Sequence, residues 1–280
     1  MVENDVQHAL ALEVGIGLAS GRYNTLMFEL PTADPALASL VADLNPAQRE
    51  AVTAPPEHRL VLAGAGSGKT RVLTCRVAWL LEAEQVSPYS ILAVTFTNKA
   101  AAEMRGRIEQ LVKVPVRSLW VGTFHGIAHR LLRMHWQEAR LPQNFQILDA
   151  DDQRRLVKRV LRELDMPDSE WPPRSVCNFI NARKEQGQRP AALADHGDYA
   201  VRQYARVYTA YQAACEKAGL VDFTELLLRA HELIRDNPEI LAHYQRRFRH
   251  VLVDEFQDTN TLQYAWLRVL LGNTGTLFAV

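Results

Sequence analysis

The chain of 280 residues has little cysteine: Cys75, Cys177 and Cys215 lie far apart and show no C-x-x-C spacing. That argues against zinc and against a disulfide framework, and it points to a reducing compartment. No apolar run approaches the length needed to cross a bilayer, and the N-terminus lacks the basic region of a secretory signal. Repeats and low-complexity tracts are absent too. Net charge is missing overall, since 32 basic residues cancel 32 acidic ones. The cancellation is uneven: residues 1–43 carry Arg22 against Glu3, Asp5, Glu13, Glu29, Asp34 and Asp43, a balance of −5 that leaves +5 on the rest. So mild an excess does not mark a nucleic-acid binder, and any contact with phosphates must be local. Length and the 48% share of hydrophobic residues suit about two domains with a sizeable core.

Against these absences stands the string AGAGSGKT, residues 63–70. It follows a short apolar run (Leu60, Val61, Leu62) and leads into a helical pattern from Thr70 to Leu81. Strand, glycine-rich turn and helix are the context of a phosphate-binding loop. Ala63, Gly64, Ala65, Gly66, Ser67 and Gly68 would turn successive backbone N–H groups toward one anion, with the positive end of the helix behind them. Lys69 would reach the β- and γ-phosphates, and the Thr70 hydroxyl would ligate Mg²⁺. The first position is Ala63 where the strict pattern has glycine; a loop that binds nothing is the bland alternative.

A second motif is the apolar run from His250 to Val253, which ends in Asp254 and Glu255. A buried parallel strand delivers its last residues to the ligand edge of an α/β sheet. Asp254 would supply hard oxygen to the same Mg²⁺, and Glu255 would polarise an attacking water. Alone, the pair reads rather as a solvated strand end than as a metal site; paired with the phosphate loop, the metal reading leads.

Asn45 is placed as an N-cap with Pro46 opening a short helix. Strands are expected near 59–63, 91–95 and 119–123, with a helix over Lys99–Leu111 whose Met104, Ile108 and Leu111 share a face. This alternation implies parallel strands with crossover helices. From about 124 to 248 helical patterns dominate and strands disappear. Asp149 and Asp152 bracket one helix start, and Tyr204, Val207, Tyr208 and Tyr211 form another stripe. The expected layout is an extension over 1–43, poorly ordered or a loosely attached helix, an α/β domain in two parts (44–123 and 249–280), and an all-helical insertion over 124–248. The final run Thr276–Val280 reads as a core strand without a turn or cap, so the expectation is a fragment of a longer protein. His231-Glu232 lacks a second histidine at metalloprotease spacing and reads as helix surface.

AGAGSGKT and VDEFQDTN (253–260), together with AVTFTNKAA (93–101), VGTFHG (121–126) and VDFTELL (221–227), resemble the N-terminal half of superfamily 1 DNA helicases of the UvrD/Rep/PcrA group, nearest the UvrD branch. The resemblance runs from about Leu44 to Val280, with the motifs in family order. It implies a RecA-like motor domain bearing a helical insertion, ATP and Mg²⁺ as cofactors, and 3′-to-5′ movement on single-stranded DNA. It also implies junctions of single and double strands as substrates, partners from mismatch and excision repair, and a bacterial cytoplasmic, nucleoid-associated setting. By motif, Gln48 would read the adenine edge and Arg71 would stack on adenine. Gln257 would couple nucleotide state to DNA. Thr95, Phe96, Asn98 and Lys99, with Thr123, Phe124 and His125, would contact DNA, an aromatic ring flanked by hydroxyl and amide groups being able to stack a base. On sequence alone both phenylalanines read as core and His125 as a turn histidine. The family's next motif and its second motor domain, with charge-neutralising arginines commonly worth about 10³–10⁵ in rate, are not in this sequence, so the chain alone should bind Mg²⁺·ATP weakly and hydrolyse it poorly. Two other readings stay open: the ATPase part of a RecB- or AddA-like helicase–nuclease, and a non-catalytic module for single strands or a repair partner.

Overall fold

A computed structural model describes residues 35–64, 66–194 and 197–280. The chain divides into two units. The first comprises the residues through Thr123, with Ala242–Thr259 and Leu270–Val280; the second comprises Phe124–Leu241 and Asn260–Val269.

The first unit is built on a five-stranded parallel sheet. Its strands are β1 (Arg59–Leu60), β2 (Ile91–Thr95), β3 (Trp120–Thr123), β6 (His250–Val253) and β7 (Thr276–Ala279), in the order β1-β7-β6-β2-β3. All four pairings are parallel, so every strand ends at one edge. There Val94 pairs with Val253, and Thr95 pairs with Thr123. The central strands β2 and β6 are buried almost throughout, as strands covered on both faces must be. Strand β1 is shorter than expected. Past Leu60 only the Val61 N–H still donates to a neighbour, the Ala279 carbonyl at 2.9 Å, and Leu62 is 77% exposed.

Two helices frame the loop. Asn45 caps Pro46–Thr53 as expected, and Gln48 completes the capping box: its backbone N–H donates to Asn45 Oδ1 (2.9 Å), and its Oε1 accepts from the Asn45 N–H (3.1 Å). The helix Lys69–Glu82 is buried along most of its length. Its Arg76, inside the core, donates to the Val52 carbonyl (2.8 Å) and pairs with Glu84 at 3.2 Å, tying the two helices together.

Part of the expected N-terminal extension belongs to this core. Pro35–Ala42 is a helix whose Val41 is buried with Leu44, Val52 and Leu73, and Leu37 and Leu40 pack beside them. The expectation for residues 1–34 lies outside the described residues. At the other end of the inserted segment, the first unit resumes at Ala242 rather than 249, because Tyr244 and Phe248 set their rings against Trp120 (6.1 and 5.2 Å between centroids).

The second unit is mainly helical: Phe124–Met134, Ala150–Glu163, Pro173–Glu185, Tyr199–Ala218 and Phe223–Asp236 are its long elements. Asp149 caps Ala150–Glu163, its side chain accepting from the N–H groups of Asp151 and Asp152. The unit is not all-helical, however. Strands β4 (Gln146–Leu148) and β5 (Leu220–Asp222) pair in parallel. Each is three residues long, too short for an alternating pattern to show, and the partner lies far along the chain. Tyr208 and Tyr211 are core residues with Val157, Val160 and Val207. Among the described residues no helix is long and apolar enough to cross a membrane.

Candidate functional site

The loop after β1 takes the conformation its glycines permit. Gly66 and Gly68 sit at φ +75° and +87°, where side chains are strained. The Ser67 hydroxyl donates to the Gly64 carbonyl at 2.7 Å, closing the turn. Gln48 Nε2 donates to the Ser67 carbonyl at 2.9 Å, and a Cβ on Gly68 would stand 3.1 Å from that nitrogen. Helix Lys69–Glu82 starts from Gly68 with no side-chain cap, so no side chain competes for the N–H groups of its first turn. Ala65, expected in the loop, lies outside the described residues.

Facing the loop is the end of β6. The Thr70 hydroxyl donates to Asp254 Oδ2 at 3.3 Å, and Lys69 Nζ lies 3.4 Å from Glu255 Oε2. Stretches 184 residues apart thus meet at one edge. Asp254 is 3% exposed, and its Oδ1 is buried without a hydrogen-bond partner. Burial, then the adjacent Glu255 carboxylate, raises the Asp254 pKa, and the Thr70 hydroxyl, the Glu255 backbone N–H and the Lys69 ammonium offset part of the rise. A buried carboxylate oxygen left unpaired is costly, and a hard cation would satisfy it. Among the described residues no group of three or more His, Cys, Asp and Glu side chains could hold a metal. A cation here would therefore take few protein ligands and keep the rest of its oxygen shell for water or phosphate, which is how Mg²⁺ binds.

Glu255 holds φ +51°, ψ +46°, a left-handed conformation costly for a residue with a Cβ. The turn brings its carboxylate to Lys69 and lets it accept from Gln257 Nε2. Arg71, on the outer side of the helix, reaches Asp43 at 3.4 Å; both side chains are exposed, so the pair adds little stability.

The residues expected to touch DNA divide sharply by burial. Thr95 is 2% exposed and Phe124 is 1% exposed. The Phe124 ring lies edge-on to Trp266 at 6.1 Å, so in this conformation a base cannot stack on it; its apolar bulk gains more from the core. Phe96 and Thr123 are half-buried, while Asn98 and Lys99 are exposed on the first turn of helix Asn98–Leu111, which Thr97 caps.

In the second unit His125 stacks on Phe223, with centroids 3.9 Å apart and planes at 21°. Burial lowers the His125 pKa to about 4, so the imidazole is neutral near pH 7. Phe223 is 57% exposed and forms the outer face of this aromatic platform. In the sequence Phe223 stands only inside the motif VDFTELL; the signal it offers is an aromatic residue directly after a capping aspartate.

A glycine-rich loop running from a parallel sheet into a helix, with an acidic pair at the end of a strand two places over, defines the RecA-like class of P-loop folds. Residues 44–280 match the family of the UvrD/REP helicase N-terminal domain, and the chain belongs to that family. It is 58% identical over 241 residues to DNA helicase II of Escherichia coli (strain K12) and equally so to that of Salmonella typhimurium, covering 86% of this chain and 34% of each relative. It is 42% identical over 244 residues to the ATP-dependent DNA helicase PcrA of Leuconostoc citreum, covering 86% and 33%. The chain thus spans about a third of the length of the curated relatives it matches.

Proposed function

We propose that this chain is the N-terminal ATP-binding part of an ATP-dependent 3′-to-5′ DNA helicase and single-strand translocase. The observation that carries the reading is the meeting of Thr70 and Asp254 at 3.3 Å, with the second Asp254 oxygen buried and unpaired, beside Lys69 and Glu255 at 3.4 Å. Thr70 and Asp254 would hold Mg²⁺. Held there, the ion would supply neutralisation of the phosphate charge. Lys69 would hold the β- and γ-phosphate oxygens, and the amides of Gly66 and Gly68–Thr70 would line the remainder, while the Ser67 N–H donates to the Gly64 carbonyl at 3.3 Å. Glu255, the partner of Lys69 in the free chain, would orient the attacking water. Gln48 and Arg71 flank the loop where an adenine would lie, and Gln257 touches Glu255, as a relay between nucleotide and DNA would require.

For DNA, the support favours Phe96, Asn98, Lys99 and Thr123 at the sheet edge, and His125 with Phe223 in the helical unit. Neutral aromatic faces hold any base without reading sequence. Action at single-strand/duplex junctions, repair roles, and a bacterial cytoplasmic, nucleoid-associated setting rest on the family.

The test is single-strand-stimulated ATP hydrolysis and strand separation by the protein that carries this chain, with and without Lys69→Ala. The variant should lose about a hundredfold or more in turnover, as expected for removal of one transition-state donor. Equal rates would overturn the assignment.

A further inference from the structure

Beneath Phe223 lies a cluster of charges that the proposed chemistry does not use. Lys184 is 1% exposed, yet it meets Glu225 at 2.9 Å and hydrogen-bonds Asp222. The Tyr211 hydroxyl donates to the same Asp222 oxygen at 2.7 Å. The other Asp222 oxygen accepts from the Glu225 N–H at 2.8 Å and so caps helix Phe223–Asp236. Glu225 is gripped further by Arg189 (2.8 Å) and Arg229 (2.9 Å), and Arg189 also binds Glu232. Lys184, Arg189 and Arg229 thus face Asp222, Glu225 and Glu232, with the exposed Glu216 also on Arg229 at 3.4 Å, and every one has a partner.

Buried ion clusters of this kind add little stability over apolar packing, but they hold neighbours in one geometry. Here the neighbour is Phe223, one residue after Asp222 and the first residue of the capped helix. Its exposed ring stacks on the His125 imidazole, and its backbone leaves the turn that Asp222 caps.

We propose that Lys184 is a positioning residue: by holding Asp222 from below, it sets the Phe223 ring against His125 as a platform for a nucleobase of single-stranded nucleic acid. This rests on reading the platform as a DNA contact, so the experiment separates the two claims. The His125 ring signals in the proton NMR spectrum of the chain carry the ring-current shift of Phe223 and report the platform without DNA. Affinity for a fluorescent oligothymidylate reports its use. Lys184→Met should erase most of that shift and weaken oligothymidylate binding about tenfold, the scale of one lost base stack. Added to Phe223→Ala, it should weaken binding no further. If Lys184→Met does not fold by circular dichroism, Tyr211→Phe and Asp222→Asn, which each remove part of the grip on the turn, take its place with smaller effects of the same sign. An unchanged His125 signal in a folded variant, or full additivity with Phe223→Ala, overturns the proposal. A shifted His125 signal with oligothymidylate binding indifferent to Phe223→Ala leaves the positioning intact and removes the DNA reading.

Discussion

The two units treat buried charge in opposite ways. At the loop of the sheet unit, Asp254 is buried with one oxygen bonded to Thr70 and the other without a well-formed hydrogen bond, only the Glu255 backbone N–H and the Lys69 charge acting on the carboxylate. In the helical unit, Asp222 and Glu225 are as deeply buried, and each is bound from several sides. The saturated cluster is complete as it stands and has no valence for a ligand. The open one stores a desolvation cost that an incoming cation would relieve. Comparing them separates a group whose bonds are all made within the fold from one that, on the proposed function, would take a metal ion.

Neutralising one charge in each place breaks or sharpens the comparison. Lys69→Ala, which removes the phosphate-facing ammonium, gives the largest functional loss, with little change in melting temperature. Lys184→Met gives the largest loss of stability, about 3–5 kcal/mol, because two carboxylates lose a buried partner; denaturant unfolding measures it. Asp254→Asn goes the other way. It removes an underpaired buried charge, so the free chain should melt no lower than the parent, while Mg²⁺-dependent nucleotide binding is lost. If Asp254→Asn destabilises as strongly as Lys184→Met, the two regions do not differ in the way argued.

Phe223→Ala should cost about 1–3 kcal/mol of single-strand affinity and almost no stability, its ring being exposed. Truncating the buried Phe124 should instead cost about 3–5 kcal/mol of stability.

The smallest contrast concerns protons. Burial lowers the pKa of both His125 and His250 to about 4, His250 with help from Arg76 and Arg249. Unfolded histidine takes its proton near pH 6.5, whereas these folded ones do not until about pH 4. Each therefore contributes stability that is fully present above pH 6.5 and declines as pH falls toward 4. His250→Gln should flatten that decline for the sheet unit, as melting temperatures at pH 7 and pH 5 would show. A slope unchanged by the substitution would mean that His250 is not buried in its neutral form.

What could be read from the sequence was what is local or carried by a motif. Asn45-Pro46 announces its helix because a cap acts on its own first turn. The Thr70–Asp254 meeting was legible because a glycine-rich loop and an acidic strand end imply each other at one sheet edge. Phe124 reads as core from its own sequence context and is buried against Trp266, 142 residues on; only its place in the motif VGTFHG points it toward DNA. Lys184, in the string Arg-Lys-Glu, looks like any helix surface; its burial depends on Asp222 arriving from the end of β5 and Glu225 from the helix that follows. β4 and β5 were invisible for the same reason, since each exists only through the other.

On the proposed function, Asp254 and Thr70 share a magnesium ion. The direct measurement is the affinity of the 280-residue chain for a fluorescent, non-hydrolysable ATP analogue, titrated with Mg²⁺ present and after chelation, in parent and Asp254→Asn. The parent should bind at least about tenfold more tightly with Mg²⁺, and the variant should show no such gain. Equal Mg²⁺ dependence in the two proteins, or none in the parent, would contradict the account.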